Sequence, residues 1–387
     1  MRALVEGSWD DARAIAAESF STLASEKLGL TNCLGRTLAR DVCALVNLPT
    51  YATSAMDGYA VSGTGPWLIV GEVKAGLPMK TALKDGQAVG IATGAVIPEN
   101  TFGVIRWEVA QVDGQQLTGK LLKGQEIRPA AHECTAGDLL IESGTVLNPA
   151  MIGLLAAAGF DCVDVISQPR VALVLLGDEI QLSGIPSDGL VRDALGPQLP
   201  GWLVAMGATV VSTQYISDEL DLVVGALKDA CASADIVITT GGTAQGPRDY
   251  LHGALDAIDA QILVDTVKVR PGHPMLLARK DATAILGLPG NPQSAVVALM
   301  SLGQPVIASK LGQSQKKLSV VTTASELTAP EDFTRLIIGN LIDGQFHVGP
   351  FLGSAMLRGL AQSDGFAIVT KALTGAGAQV RWLDLPA

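Results

Sequence analysis

Aromatic side chains are scarce, only 4% of 387 residues, so aliphatic packing must fill the interior. Cysteine is sparse as well. The five thiols (Cys33, Cys43, Cys134, Cys162, Cys231) are odd in number, scattered and without a Cys-x-x-Cys pair. That excludes a disulfide frame or zinc site as the organising principle and suggests buried thiols in a reducing compartment. The four histidines are equally dispersed. No apolar run approaches the roughly 20 residues of a membrane span, and the start, "MRALVEGSWDDARAIAAESF", has acids where a signal peptide has its apolar centre. A soluble cytoplasmic protein without a membrane partner is expected. Charged residues are few, 17%, and 38 acids against 27 bases give a net charge of −11, which weighs against nucleic acid as a partner. The chain also lacks a GxxxxGK[ST] loop, a clear GxGxxG fingerprint and an HExxH pair, which removes the commonest ATPase, dehydrogenase and metalloprotease readings.

What is present is aliphatic: hydrophobic residues make up 48%. The length exceeds what one core organises, so two to four domains are expected. Residues 9–26 and "NPAMIGLLAAAGF" (148–160) read as helices. Short β-like runs broken by Gly, Pro and Asp-Gly turns lie between them. From 169 onward, Val/Ile/Leu runs such as "RVALVLLG", "ATVVSTQYI", "DIVITTGG", "QILVDTVKVR" and "TAILGLPG" alternate with amphipathic segments. This pattern predicts a doubly wound, mainly parallel sheet with helices on both faces. After about 312 the runs are β-like again. The expected architecture is multidomain α/β plus β. Residues 1–24 and 139–168 form a segmented helical dimerisation domain around an inserted β domain (25–138), followed by an α/β domain (169–311) and a small barrel-like β domain (312–387).

In a parallel α/β sheet, ligands bind beyond the carboxyl ends of the strands. "TTGGTAQGPRDY" (239–250) follows one such strand, and its glycines free backbone N–H groups for a close ligand such as phosphate; glycines in this place also serve turns alone. "LPGNPQSA" (288–295) follows another, with Asn291 at the N-cap and Pro292 at the first helical position. Between the loops, "VKVRPGHP" gathers Lys268, Arg270 and His273, and strand alternation puts Lys268 and Arg270 on one side. Asp178, Glu179, Asp218 and Asp249 fall at the same expected edge, where carboxylates serve Mg²⁺ or the N–H groups of a heterocycle.

Taken together, these segments resemble the molybdopterin molybdenumtransferase family, the bacterial MoeA proteins and the E domain of gephyrin. "ATSAMDGYAV" (52–61), "IATGAVIP" (91–98), "LLGDEI" (175–180), "TTGGTAQGPRDY", "VRPGHP" (269–274) and "LPGNPQSA" match in the family's order, with "DFTR" and "LGSAML" continuing into the last domain. The resemblance implies an elongated homodimer of four-part subunits. It also implies a reaction, in which molybdate enters adenylylated molybdopterin and AMP is released, with Mg²⁺ assisting and a molybdopterin adenylyltransferase as the delivery partner. By motif, Asp57, Thr93 and Glu133 come from the inserted domain, facing the partner's α/β domain. Glu179, Asp218 and Asp249 serve pterin and cation, the metal lying at Asp218 and Asp249. Asp57, Glu179, Asp218 and Asp249 form the implied catalytic set. Gly241, Gly242, Gly290, Asn291 and Ser294 shape the phosphate and pterin pocket, and Arg270, His273, Pro274, Arg335 and Ser354 surround molybdate.

Departures cluster at the molybdate positions: Arg270 and His273 replace the lysines of KPGKP, Ala244 a serine, and Leu195 an asparagine, with Arg248 placed to supply part of the lost charge. Glu133 stands where the family has Asp. These changes leave a catalytically impaired pterin-nucleotide carrier or a scaffold as the alternative. A neutral histidine gains charge on acidification, so oxyanion affinity is expected to improve as pH falls from about 8 to 6.

Overall fold

The computed structural model describes residues 3–243, 250–315 and 317–386. The chain forms two compact units, one of 27–34 and 40–164, the other of 1–26, 35–39 and 165–387.

In the smaller unit, six strands are ordered Gly103–Arg106, Gly58–Val61, Gln87–Ile91, Trp67–Val73, Gln116–Thr118, Gln111–Asp113. Consecutive residues feed opposite cores. Ala60, Val89 and Val104 join Val73, Leu83 and Ile91 on one face, while Val61, Ala88 and Ile105 join Trp67 and Leu117 on the other. The two-residue strand period therefore buries both faces, which explains the nearly continuous apolar runs. Helix Pro149–Ala157 starts as its sequence dictates: the Asn148 side chain accepts the Met151 N–H at 2.9 Å and Pro149 occupies the first turn.

The larger unit is built on a seven-stranded sheet, ordered Leu4–Gly7, Gln261–Val267, Leu276–Lys280, Thr283–Leu288, Ile236–Thr240, Arg170–Leu176, Thr209–Ile216. All neighbours run parallel except around Leu276–Lys280, which is antiparallel to both of its partners. The cause is local. Lys280 pairs with Thr283 across a turn where Asp281 has φ 52°, and so short a connection can only reverse the chain. Helices Leu220–Ser233 and Tyr250–Ala257 cover one face through Val223, Leu227, Leu251 and Leu255; Trp9–Glu18, Leu195–Ala205 and the segments from Pro292 to Lys310 cover the other. The expected doubly wound, mainly parallel sheet is present, with one reversed strand.

The helix expected over 9–26 runs only Trp9–Glu18. Beyond it, Phe20 O accepts from Ser309 Oγ (2.6 Å) and Leu23 N–H donates to Lys310 O (2.8 Å), so tertiary partners replace further helical bonds. The strand expected through 261–270 divides at Lys268. Thr266 turns with φ 59°, and Val269–Arg270 leaves to pair in parallel with Thr334 and Arg335 of the last sheet. Lys268 and Arg270 therefore do not share one strand of the α/β sheet. In that last sheet Thr334–Ile342 pairs with both Gln345–Val348 and Gly365–Val369, which closes a small barrel around Ile337, Phe346, Ala367 and Trp382.

Candidate active site

Four parallel strands bring their carboxyl ends to one edge, with Leu176 beside Ile216, Leu175 beside Thr240 and Thr240 beside Leu288. The loops beyond are Gly177–Glu179, Ser217–Asp218, Gly241–Thr243 and Pro289–Asn291. Gly241 and Gly242 have φ 84° and 63°, conformations that favour glycine, and Gly241 N–H donates to Leu288 O at 2.9 Å. A side chain on Gly241 would press on Leu176 O at 3.2 Å, whereas one on Gly290 would meet nothing nearer than Gly241 Cα at 3.9 Å. The two corners thus lie side by side, within van der Waals reach of each other. Asn291 sits at the N-cap with φ −68° and ψ 124°, but its side chain makes no capping hydrogen bond.

The acids follow the same edge. Asp178 Oδ1 accepts the Asp218 N–H at 3.3 Å, which ties the first strand-end loop to the second. Glu179 folds back over Gly177, where an added Cβ would lie 2.7 Å from its Oε2. Asp249, Ala244 and Arg248 lie outside the described residues. Among the described residues no three acids, histidines or cysteines stand close enough to hold a metal. Asp218 and Glu179 nonetheless offer the hard oxygens that Mg²⁺ takes when one or two carboxylates hold it and phosphate and water complete its octahedron.

A cationic group adjoins the start of the helix at Pro292. Arg270 and Arg335 are register partners, and the Arg270 guanidinium lies 5.0 Å over the Phe333 ring. The His273 ring is 5.5 Å from the same ring and tilted by 34°. Arg335 donates to Thr328 O (3.0 Å) and Oγ1 (3.3 Å). His273 O accepts from both Val267 and Met275 N–H, a tight turn around Pro274. Gly272, at φ 99°, seats this loop against Ser294 O, at 3.2 Å from an added Cβ. Gln293 N–H donates to Ser354 O at 3.0 Å, and its side-chain amide, with the NH₂ turned toward them, donates to Leu352 O and Gly353 O. Arg270, His273, Pro274, Ser294, Arg335 and Ser354 thus belong to segments joined around this helix start. Sequence reading missed Phe333, Gln293, Thr328 and Glu6; Phe333 lies in "DFTR", which was read for Arg335 alone.

Burial and the Arg270 charge push the His273 pKa below its ordinary value, partly offset by Glu6, whose Oε1 is 3.9 Å from Nε2. The lowered pKa of the free ring extends the expected affinity gain to lower pH. Titration with molybdate should strengthen as pH falls from about 8 and continue to do so below about 6.5, a flat profile down to pH 5 removing His273 from the site. The sign for stability is opposite. The unfolded chain binds the proton more readily, so this residue's contribution is intact above about pH 6.5 and declines as pH falls below it.

In the smaller unit, Asp57 Oδ1 accepts both the Thr93 N–H (2.6 Å) and Thr93 Oγ1 (2.9 Å), and these bonds hold the carboxyl below its ordinary pKa. The two motifs meet for visible reasons. Ser54 N–H donates to Ala95 O (3.0 Å), Gly94 N–H donates to Ser54 O (2.9 Å), and a side chain at Gly58 would collide with the Ile105 carbonyl. Glu133 is exposed on a neighbouring segment, where its N–H donates to Leu48 O at 2.8 Å.

Three family descriptions match in order: the MoeA N-terminal region (domains I and II) over 7–159, a probable molybdopterin binding domain over 172–309 and the MoeA C-terminal region (domain IV) over 320–385. The molybdopterin molybdenumtransferase of Haemophilus influenzae is 30% identical over 362 residues, covering 89% of each chain. That of Staphylococcus aureus strain MRSA252 is 28% identical over 373 residues, 93% of this chain and 85% of the relative. The solved molybdopterin biosynthesis MoeA protein of Pyrococcus horikosii superposes with a TM-score of 0.83 at 22% identity, over 98% of this chain and 99% of that one, which speaks for the fold. Because the three regions follow one another as in those proteins and the Haemophilus likeness spans nearly the whole chain, this chain belongs to the molybdopterin molybdenumtransferase (MoeA) family.

Proposed function

We propose that this chain transfers molybdenum from molybdate to adenylylated molybdopterin and releases AMP, the last step in making the molybdenum cofactor. The observation that carries this reading is the pair of adjacent corners, Gly241–Thr243 and Gly290–Asn291, at the carboxyl edge of a parallel sheet. Backbone N–H groups there receive the pyrophosphate, and the glycines allow it to approach the main chain. Ser294 and the loop at Ser354 border the same helix start, where Arg270, His273 and Arg335 hold the tetrahedral oxyanion. Arginine suits this task because its planar fork stays charged. Glu179, Asp218 and Asp249 serve the pterin, and Asp218 and Asp249 are the residues that would hold Mg²⁺. When bound, Mg²⁺ would supply charge neutralisation at the phosphates.

A homodimer belongs to this reading, with Asp57, Thr93 and Glu133 of each copy serving the site of the other. In support, helix Pro149–Ala157 is apolar along its length yet only Leu155 is buried. A molybdopterin adenylyltransferase delivers the substrate. No helix among the described residues is long and apolar enough to cross a membrane.

The test is incubation of the full chain with adenylylated molybdopterin, Mg²⁺ and molybdate, followed by measurement of AMP. Release that depends on molybdate is expected. Tight nucleotide binding without AMP release would contradict transfer and leave a carrier.

A further inference from the structure

Two side chains of the oxyanion cluster share one aromatic neighbour. Phe333 has the Arg270 guanidinium over it at 5.0 Å and the His273 ring against it at 5.5 Å. A guanidinium over a ring face is attracted by the ring quadrupole while its planar fork of N–H donors stays available to an anion. Phe333 is itself fixed from both sides. Its N–H donates to Pro330 O at 3.2 Å, Asp332 before it has φ 60°, and Thr334 after it donates to Lys268 O at 2.9 Å, next to the Arg270–Arg335 pairing. The charged groups facing His273 are Arg270 on its own loop and Glu6 from the first strand. Glu6 is 62% exposed and 3.9 Å away, too loose a partner to fix the imidazole. Phe333 is the neighbour that both side chains share.

We propose that Phe333 is a positioning residue of this site, holding Arg270 and His273 at the separation and angle that a tetrahedral dianion requires. The proposal rests on the assignment of this cluster to molybdate.

Its test uses the full chain with Phe333→Leu, Phe333→Met and Phe333→Trp. Two readouts apply: molybdate affinity by calorimetry, and NMR titration of the His273 ring without ligand, assigned by comparison with His273→Gln. Phe333→Leu should weaken molybdate binding about tenfold and raise the His273 pKa toward its ordinary value, because the ring loses cover. Phe333→Trp, which keeps an aromatic face, should restore both, and Phe333→Met serves if the leucine variant does not fold. Unchanged affinity or an unmoved titration in the aliphatic variants overturns the proposal. If wild type binds no molybdate, the cluster's assignment fails by itself. The His273 titration then decides Phe333's role, a shift supporting it and no shift refuting it.

Discussion

Gly290→Val should leave the fold standing and weaken adenylylated molybdopterin binding at least about 100-fold, ~2.7 kcal/mol. Position 290 is exposed, its φ is not in the left-handed region, and the nearest atom to an added Cβ is Gly241 Cα at an ordinary 3.9 Å. An added Cβ is therefore tolerated, and the valine methyl groups would cover the exposed surface where the two corners meet. Gly241→Ala provides the contrast. With φ 84° and Leu176 O at 3.2 Å, it strains the folded chain by about 1–2 kcal/mol as well as crowding the site. A melting temperature lowered in Gly241→Ala and unchanged in Gly290→Val, with binding weakened in both, would separate occlusion from misfolding. Normal nucleotide affinity in Gly290→Val would mean that the ligand does not lie at the corners.

Arg270→Ala should weaken molybdate binding roughly 10- to 150-fold, from the loss of about 1.5–3 kcal/mol of charge-assisted hydrogen bonding. Arg270→Lys should recover only part, because an ammonium lacks the planar fork that the guanidinium presents beside Phe333. The defect belongs to molybdate KM: AMP release should approach the wild-type rate at saturating molybdate and fall below it otherwise. A pH signature accompanies it. Arg270 depresses the His273 pKa, so its removal lets His273 protonate nearer its ordinary value, and the deficit should be smaller at pH 6 than at pH 8. A deficit that does not vary with pH would mean that the two side chains do not share an anion.

The α/β sheet was legible where burial on both faces writes an unbroken aliphatic run, as at Arg170–Leu176, Ile236–Thr240 and Thr283–Leu288. It was illegible where strands are short or charged. "LVEG" at the edge has no pattern of its own and becomes a strand by pairing with Gln261–Val267. "LLARK" carries two cations and was passed over, although its reversed direction follows from the tight turn at Asp281. The break at Lys268 was hidden for another reason: "QILVDTVKVR" reads as one strand, an apolar run passing into Val-Lys-Val-Arg alternation, and only the competing partner strand at Thr334 shows where the chain changes sheets. The site divides similarly. The corner glycines and Asn291 could be placed from the sequence because strand-to-helix corners favour such residues, although the Asn291 side chain makes no capping hydrogen bond. Phe333, Gln293 and Glu6 could not, since their roles come from contacts made by residues distant in the chain.

The most direct test is a crystal structure of the full chain with adenylylated molybdopterin bound. The account expects the pyrophosphate oxygens within hydrogen-bond distance of backbone N–H groups at Gly242–Thr243 and at Asn291, with Asp218 and Glu179 beside them. Pyrophosphate bound elsewhere, with the corners at Gly241 and Gly290 meeting only solvent, would contradict it.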